Sequence, residues 1–250
     1  MRAPNGWRLR PTYPDVYYVV LDAYARGDVL QDLYSLDNSA FLQALTARGF
    51  YVASESRANY SQTAQSLASS LNSTYLDDLA LSQGAESVNS APLQEMVQHS
   101  LVRRSLEGLG YQTAAFETSY PRTELTDADR FLTPPYGELA RSEAAAFGLP
   151  LEEFETLLLE TTLLRPVVDA ASRQQANARS LISFPYQKHR MQVEFSLASL
   201  ADAGLADGPQ FVFAHVVSPH PPFVFGRFGE EVIPSRPFSR QDVGCCDHEE

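Results

Sequence analysis

The chain has little cysteine, almost no lysine and no long apolar run. Its two cysteines, Cys245 and Cys246, are adjacent among 250 residues, so there is no disulfide framework and the compartment is not readable from thiols. Nineteen basic residues against 31 acidic ones give a net charge of −12, and Lys188 is the sole lysine. No basic cluster beyond Arg103-Arg104 is present, which argues against nucleic acid as a partner. No apolar run approaches the ~20 residues needed to cross a bilayer. The opening "MRAPNGWRLRPTYPDVYY" carries charge but no apolar core, so it does not read as a signal peptide. Taken as it stands, the chain is expected to be soluble and to carry no visible address. Internal repeats and low-complexity linkers are also missing.

What is present is a sizeable apolar fraction, 44% with 11% aromatic, enough for one large core and one domain over residues 1–250. "DVYYVVLDAYAR" contains an unbroken β-rich run from Val16 to Leu21, as expected of a central strand buried on both faces. "DNSAFLQALTARGF" reads as a helix, and residues 50–56 as a second strand. Ala64, Leu67, Ala68 and Leu71 share one helical face by their i, i+3, i+4, i+7 spacing. Residues 92–107 read as one helix, 111–118 as a strand, 187–203 as a helix, and "PQFVFAHVVSPHPPFVF" as a buried strand leaving through a proline-rich loop. Residues 119–186 are less regular and read as an insertion or cap, with a helix in "LEEFETLLLETTLL". Residues 227–250 read as a polar tail. Strands alternating with helices predict an α/β fold, three layers around a mainly parallel sheet.

Five positions could carry chemistry. Asp22 closes the first strand, where open α/β sheets place their ligands, although a strand-end turn would also use an aspartate. "SRANYSQTAQSLASSLN" crowds seven hydroxyls into residues 56–72 at a helix start. Thr63 there is either a helix cap or a nucleophile. A helix N-terminus presents free N–H groups and a positive dipole that suit phosphate. A threonine hydroxyl attacks phosphorus only if a metal lowers its pKa, so Asp22 and Thr63 stand or fall together. Asn59 could hold a non-bridging oxygen, and Arg26 could grip an oxyanion. His220, in "SPHPPF", sits on a stiff loop after the last strand. His215, inside that strand, reads as a core histidine or a partner of a metal ligand. The closing "GCCDHEE" has metal-binding residue types, but without the separation of ligand pairs that zinc sites show; a polar tail is the better reading.

In order and spacing, the strand ending at Asp22, "NYSQTAQSLASSLN" with Thr63, and "SPHPPF" with His220 resemble the N-terminal part of the alkaline phosphatase/sulfatase superfamily. The closest branch is the membrane-associated sulfatase-like hydrolase/transferases, which include lipoteichoic acid synthases and phosphoethanolamine transferases. The resemblance covers residues 13–75 and 209–226. It implies an alkaline phosphatase-like sheet, Asp22 as ligand to zinc or manganese, and Thr63 as a metal-bound nucleophile. It also implies His220 against the transferred group or leaving oxygen, with Asn59 and Arg26 as second-rank substrate contacts. The implied substrate is an anionic phospho- or sulfo-ester, lipid- or glycan-linked esters among them.

The sulfatases' Cys-x-Pro-Ser-Arg segment is absent, which favours phosphate over sulfate chemistry. The family's later Asp-His-Gly segment and final histidine are absent too, and Asp247-His248 does not replace them. The resemblance therefore implies an incomplete catalytic domain, inactive alone. The intact parent would be anchored by membrane segments outside this sequence, with its catalytic domain extracytoplasmic. The alternative is a non-catalytic α/β module whose crevice binds an anionic ligand.

Overall fold

The structure is a computed structural model that describes residues 13–84, 87–118, 120–137, 176–232 and 238. Among the described residues four strands form one all-parallel sheet in the order β1-β4-β2-β3. They are β1 (Val16–Leu21), β2 (Gln112–Phe116), β3 (Arg130–Leu132) and β4 (Gln210–Val216). The helices are α1 (Gly27–Tyr34), α2 (Ser39–Ala47), α3 (Thr63–Asn72), α4 (Asp77–Gln83), α5 (Ala91–Gln98), α6 (Leu101–Gly108) and α7 (Ala176–Ala203), with a 3-10 turn at Pro121–Thr123.

Side-chain alternation along the strands builds two cores on opposite faces of the sheet. Phe211 and Phe213 of β4 join Ala115 and Tyr111 against Leu67, Ala68 and Leu71 of α3 and Val97 of α5. On the other face Val212 and Ala214 meet Ala114, Phe116 and the α7 residues Phe195, Leu200 and Ala203. The fold is therefore α/β, with a parallel sheet covered by helices on both faces. Every residue of β4 is buried, which accounts for a sequence that is apolar apart from Gln210 and His215.

Four details differ from the sequence reading. β1 is not central: among the described residues it pairs only with β4. Val16, Tyr18 and Val20 face the α3 core, while Tyr17 and Val19 are 44% and 41% exposed. An apolar run fits either place, because composition reports burial tendency and not neighbours. Residues 50–56 form no strand; Phe50 and Tyr51 are 60% and 91% exposed, with no strand partner to accept them. The single helix expected over 92–107 is two, because the Ser100 hydroxyl accepts from the Arg103 N–H and starts α6 afresh. Finally, the irregular stretch contributes β3, which pairs with β2, so the sheet extends into residues 119–186. The helix expected in "LEEFETLLLETTLL" lies outside the described residues, as does most of the polar tail. Among the described residues no helix is long and apolar enough to cross a membrane.

Candidate functional site

All four strands run the same way, so their carboxyl ends share one edge. Asp22 follows β1 there, and its N–H is tied to the Val216 carbonyl of β4 at 2.9 Å. α3 begins beside it. Its N-cap is Gln62, with no side-chain cap bond, so Thr63 is the first helical residue and not the cap. The first bond of the ladder runs from the Ser66 N–H to the Gln62 carbonyl. The N–H groups of Thr63, Ala64 and Gln65 therefore precede the ladder and point past the helix end. Ala64, Leu67, Ala68 and Leu71 are all buried, at 5% or less, and this anchored stripe sets the rotation of the helix.

With the helix so fixed, the Thr63 hydroxyl reaches Asp22: Oγ1 lies 3.2 Å from Oδ2 and 3.4 Å from Oδ1, across 41 residues of chain. An ionised carboxylate only accepts, so the hydroxyl donates. Both distances exceed the 2.7–2.8 Å or so of a tight hydroxyl bond. The neighbouring hydroxyls do other work. Ser70 Oγ meets the Tyr18 hydroxyl at 3.1 Å, Ser69 donates to the Thr74 carbonyl, and Tyr60 accepts from the Leu76 N–H. These three brace the helix and its exit.

His215, for which the sequence leaves a core place and a place beside a metal ligand both open, is buried against Asp22. It is 1% exposed, with Nε2 at 3.2 Å from Asp22 Oδ2 and Nδ1 at 2.8 Å from Thr123 Oγ1. Thr123 had no visible signal at all. For His215 the signal was parity: it alternates with Phe211 and Phe213, so it must face α3 one residue before the strand ends. Burial pushes the Asp22 carboxyl up. The hydrogen bond and charge of His215, the charge of His220 and the Thr63 hydroxyl outweigh it and hold it below the ordinary 3.8.

His220 lies near enough for its charge to act on Asp22, but its recorded hydrogen bond is from Nδ1 to the Pro221 carbonyl at 2.6 Å. That bond puts the hydrogen on Nδ1 and leaves Nε2 for another partner. No protein family model, curated protein or solved structure matches the chain.

The two second-rank candidates are engaged elsewhere. Arg26 grips Asp28 through Nε at 2.9 Å and Nη2 at 2.7 Å, and donates from Nη1 to the Ser56 carbonyl. Asn59 donates to Ser69 Oγ at 2.8 Å. Neither has a recorded bond to Asp22 or Thr63. Cys245, Cys246, Asp247 and His248 lie outside the described residues. Among the described residues, no three or more His, Cys, Asp or Glu side chains group closely enough to hold a metal ion. The donors that do converge, one carboxylate and one hydroxyl, are oxygen ligands that manganese and zinc accept. By themselves they would make up part of a coordination shell and not a whole one.

Proposed function

We propose that this chain is a phosphoester hydrolase or transferase domain of the alkaline phosphatase/sulfatase type, with Thr63 as the nucleophile. The observation that carries the reading is the approach of the Thr63 hydroxyl to both oxygens of Asp22, 3.2 and 3.4 Å away, at a helix N-terminus on the sheet's carboxyl edge. A helix cap would have turned that hydroxyl back onto its own backbone. A bare carboxylate would repel a phosphate ester, so Asp22 belongs beside a phosphate only with a cation between them.

Zinc or manganese would be held in part by Asp22 and Thr63, and would supply a lowered hydroxyl pKa. The chain's own groups do the rest. The Thr63 hydrogen leaves along its bond to Asp22 as Oγ1 bonds to phosphorus and the ester P–O bond breaks. The N–H groups of Thr63, Ala64 and Gln65 offer donors to the non-bridging oxygens. His220, its Nδ1–H held by the Pro221 carbonyl, would serve the departing oxygen as the imidazolium, giving it the Nε2 hydrogen. Water or a second alcohol then breaks the bond between Oγ1 and phosphorus, giving hydrolysis or transfer.

The described residues supply only part of a cation's shell, so sustained turnover is not expected of this chain alone and a single turnover is the test. With zinc or manganese present, p-nitrophenyl phosphate should release a burst of p-nitrophenolate of no more than about one equivalent per chain. Thr63→Val should remove the burst. Equal release by the two proteins would overturn the reading. Binding of orthophosphate without a burst would replace it with that of a non-catalytic anion-binding module.

A further inference from the structure

His215 has both ring nitrogens engaged in a setting almost closed to water. Its side chain is 0% exposed and that of Asp22 is 17% exposed. Because a carboxylate only accepts, the 3.2 Å contact from Nε2 to Oδ2 puts a hydrogen on Nε2. On the far side, Thr123 Oγ1 stands 2.8 Å from Nδ1 and 3.2 Å from the Tyr120 carbonyl. Its one hydrogen goes to Nδ1 when the imidazole is neutral. Tyr120 also sets its ring edge-on to the imidazole, centroids 6.2 Å apart at 63°. The turn after β2 therefore holds the histidine ring from behind.

Thr63 reaches the two oxygens of Asp22 at nearly equal distance, so it does not choose between them. His215 does, because its contact is with Oδ2. We infer that His215 is a positioning residue: its ring, braced by Thr123, fixes the rotation of the Asp22 carboxylate and leaves Oδ1 as the oxygen that faces a ligand. The functional half of this inference rests on the phosphoryl-transfer reading above; the pairing itself does not. Histidines and carboxylates that orient metal ligands in this way typically change affinity or activity by about 10–100-fold when replaced.

The test uses the full chain with His215→Phe, His215→Gln and Thr123→Val. Glutamine keeps a donor near the Nε2 position, whereas phenylalanine keeps only the volume. In long-range 1H–15N spectra of the histidine rings, His215 should carry hydrogen on Nε2. Its resonances should move in Asp22→Asn and in Thr123→Val. At saturating zinc or manganese the burst rate should fall roughly 10–100-fold in His215→Phe and recover most of the loss in His215→Gln, with orthophosphate affinity little changed. A merely structural histidine would not separate rate from binding or be rescued by glutamine. An Nε2 without hydrogen, or a His215→Phe burst as fast as the parent's, would overturn the inference. A parent chain with no burst would defeat the phosphoryl-transfer reading instead, while the spectra still decide the pairing.

Discussion

Replacing Arg103 by methionine should destabilise the protein by about 2–3 kcal/mol. The residue is 6% exposed, and its guanidinium serves four acceptors at the corner between α5 and α6. Nε donates to Glu107 at 2.7 Å, Nη1 to Asp127 Oδ1 at 2.7 Å and to the Gln98 carbonyl at 2.8 Å, and Nη2 to the Asp127 carbonyl at 3.3 Å. The Glu107 and Asp127 side chains are 36% and 49% exposed. They rehydrate when the arginine goes, and each ion pair contributes under about 1 kcal/mol. The two backbone carbonyls lose a donor in a drier setting, at about 1 kcal/mol for Gln98 and less for the longer bond. Methionine retains much of the alkyl packing, so the loss reports the polar contacts.

For a chain of this size that loss lowers Tm by roughly 5–10 °C, readable by circular dichroism and by the urea midpoint. Acid should shrink the difference. Burial raises the Asp127 carboxyl, but the Arg103 hydrogen bond and charge outweigh it and hold it below the ordinary 3.8. A lowered folded-state pKa contributes stability above the unfolded value, and that part is lost as pH falls through the folded one. The gap between parent and variant should therefore be largest near neutral pH and narrow below about pH 4. A loss under about 0.5 kcal/mol, or a gap that widens in acid, would refute the reasoning.

Leu71→Ala, on the α3 stripe at 1% exposure, should cost about 3–5 kcal/mol in urea unfolding. A cost near 1 kcal/mol would mean that α3 is not anchored as described. Thr63→Ser retains an attacking hydroxyl but loses the methyl that restrains its rotamer; its burst should persist at a rate reduced by less than about tenfold, whereas Thr63→Val gives none. A serine variant as inert as the valine one would mean the hydroxyl is not the reacting group.

The two clearest strands, β1 and β4, were legible because each is a largely apolar, β-rich run. Asp22 and Thr63 were legible because each sits at a boundary, where a strand stops and a helix starts. That they meet follows from the apolar stripe of α3 packing on the sheet, which sets the start of that helix beside the end of β1. What a single run does not encode is its neighbours. The same kind of pattern served buried β4 and half-exposed β1, and it also suggested a strand at residues 50–56 where no sheet edge receives one. His215 was obscured for a related reason. A polar residue inside an apolar strand looks like a core exception until the parity of Phe211 and Phe213 is followed to the strand's end. Thr123 sits on a short turn whose place against β4 depends on β2 and β3, and local sequence carries no trace of that.

The most direct measurement of the account is to locate the phosphoryl group itself. The full chain is incubated with p-nitrophenyl phosphate and manganese or zinc, quenched in acid, digested and read by peptide mass spectrometry. The account predicts one phosphoryl group, on Thr63, and none in Asp22→Asn or Thr63→Val. An unlabelled Thr63, or a label that persists on another residue in Thr63→Val, would contradict it.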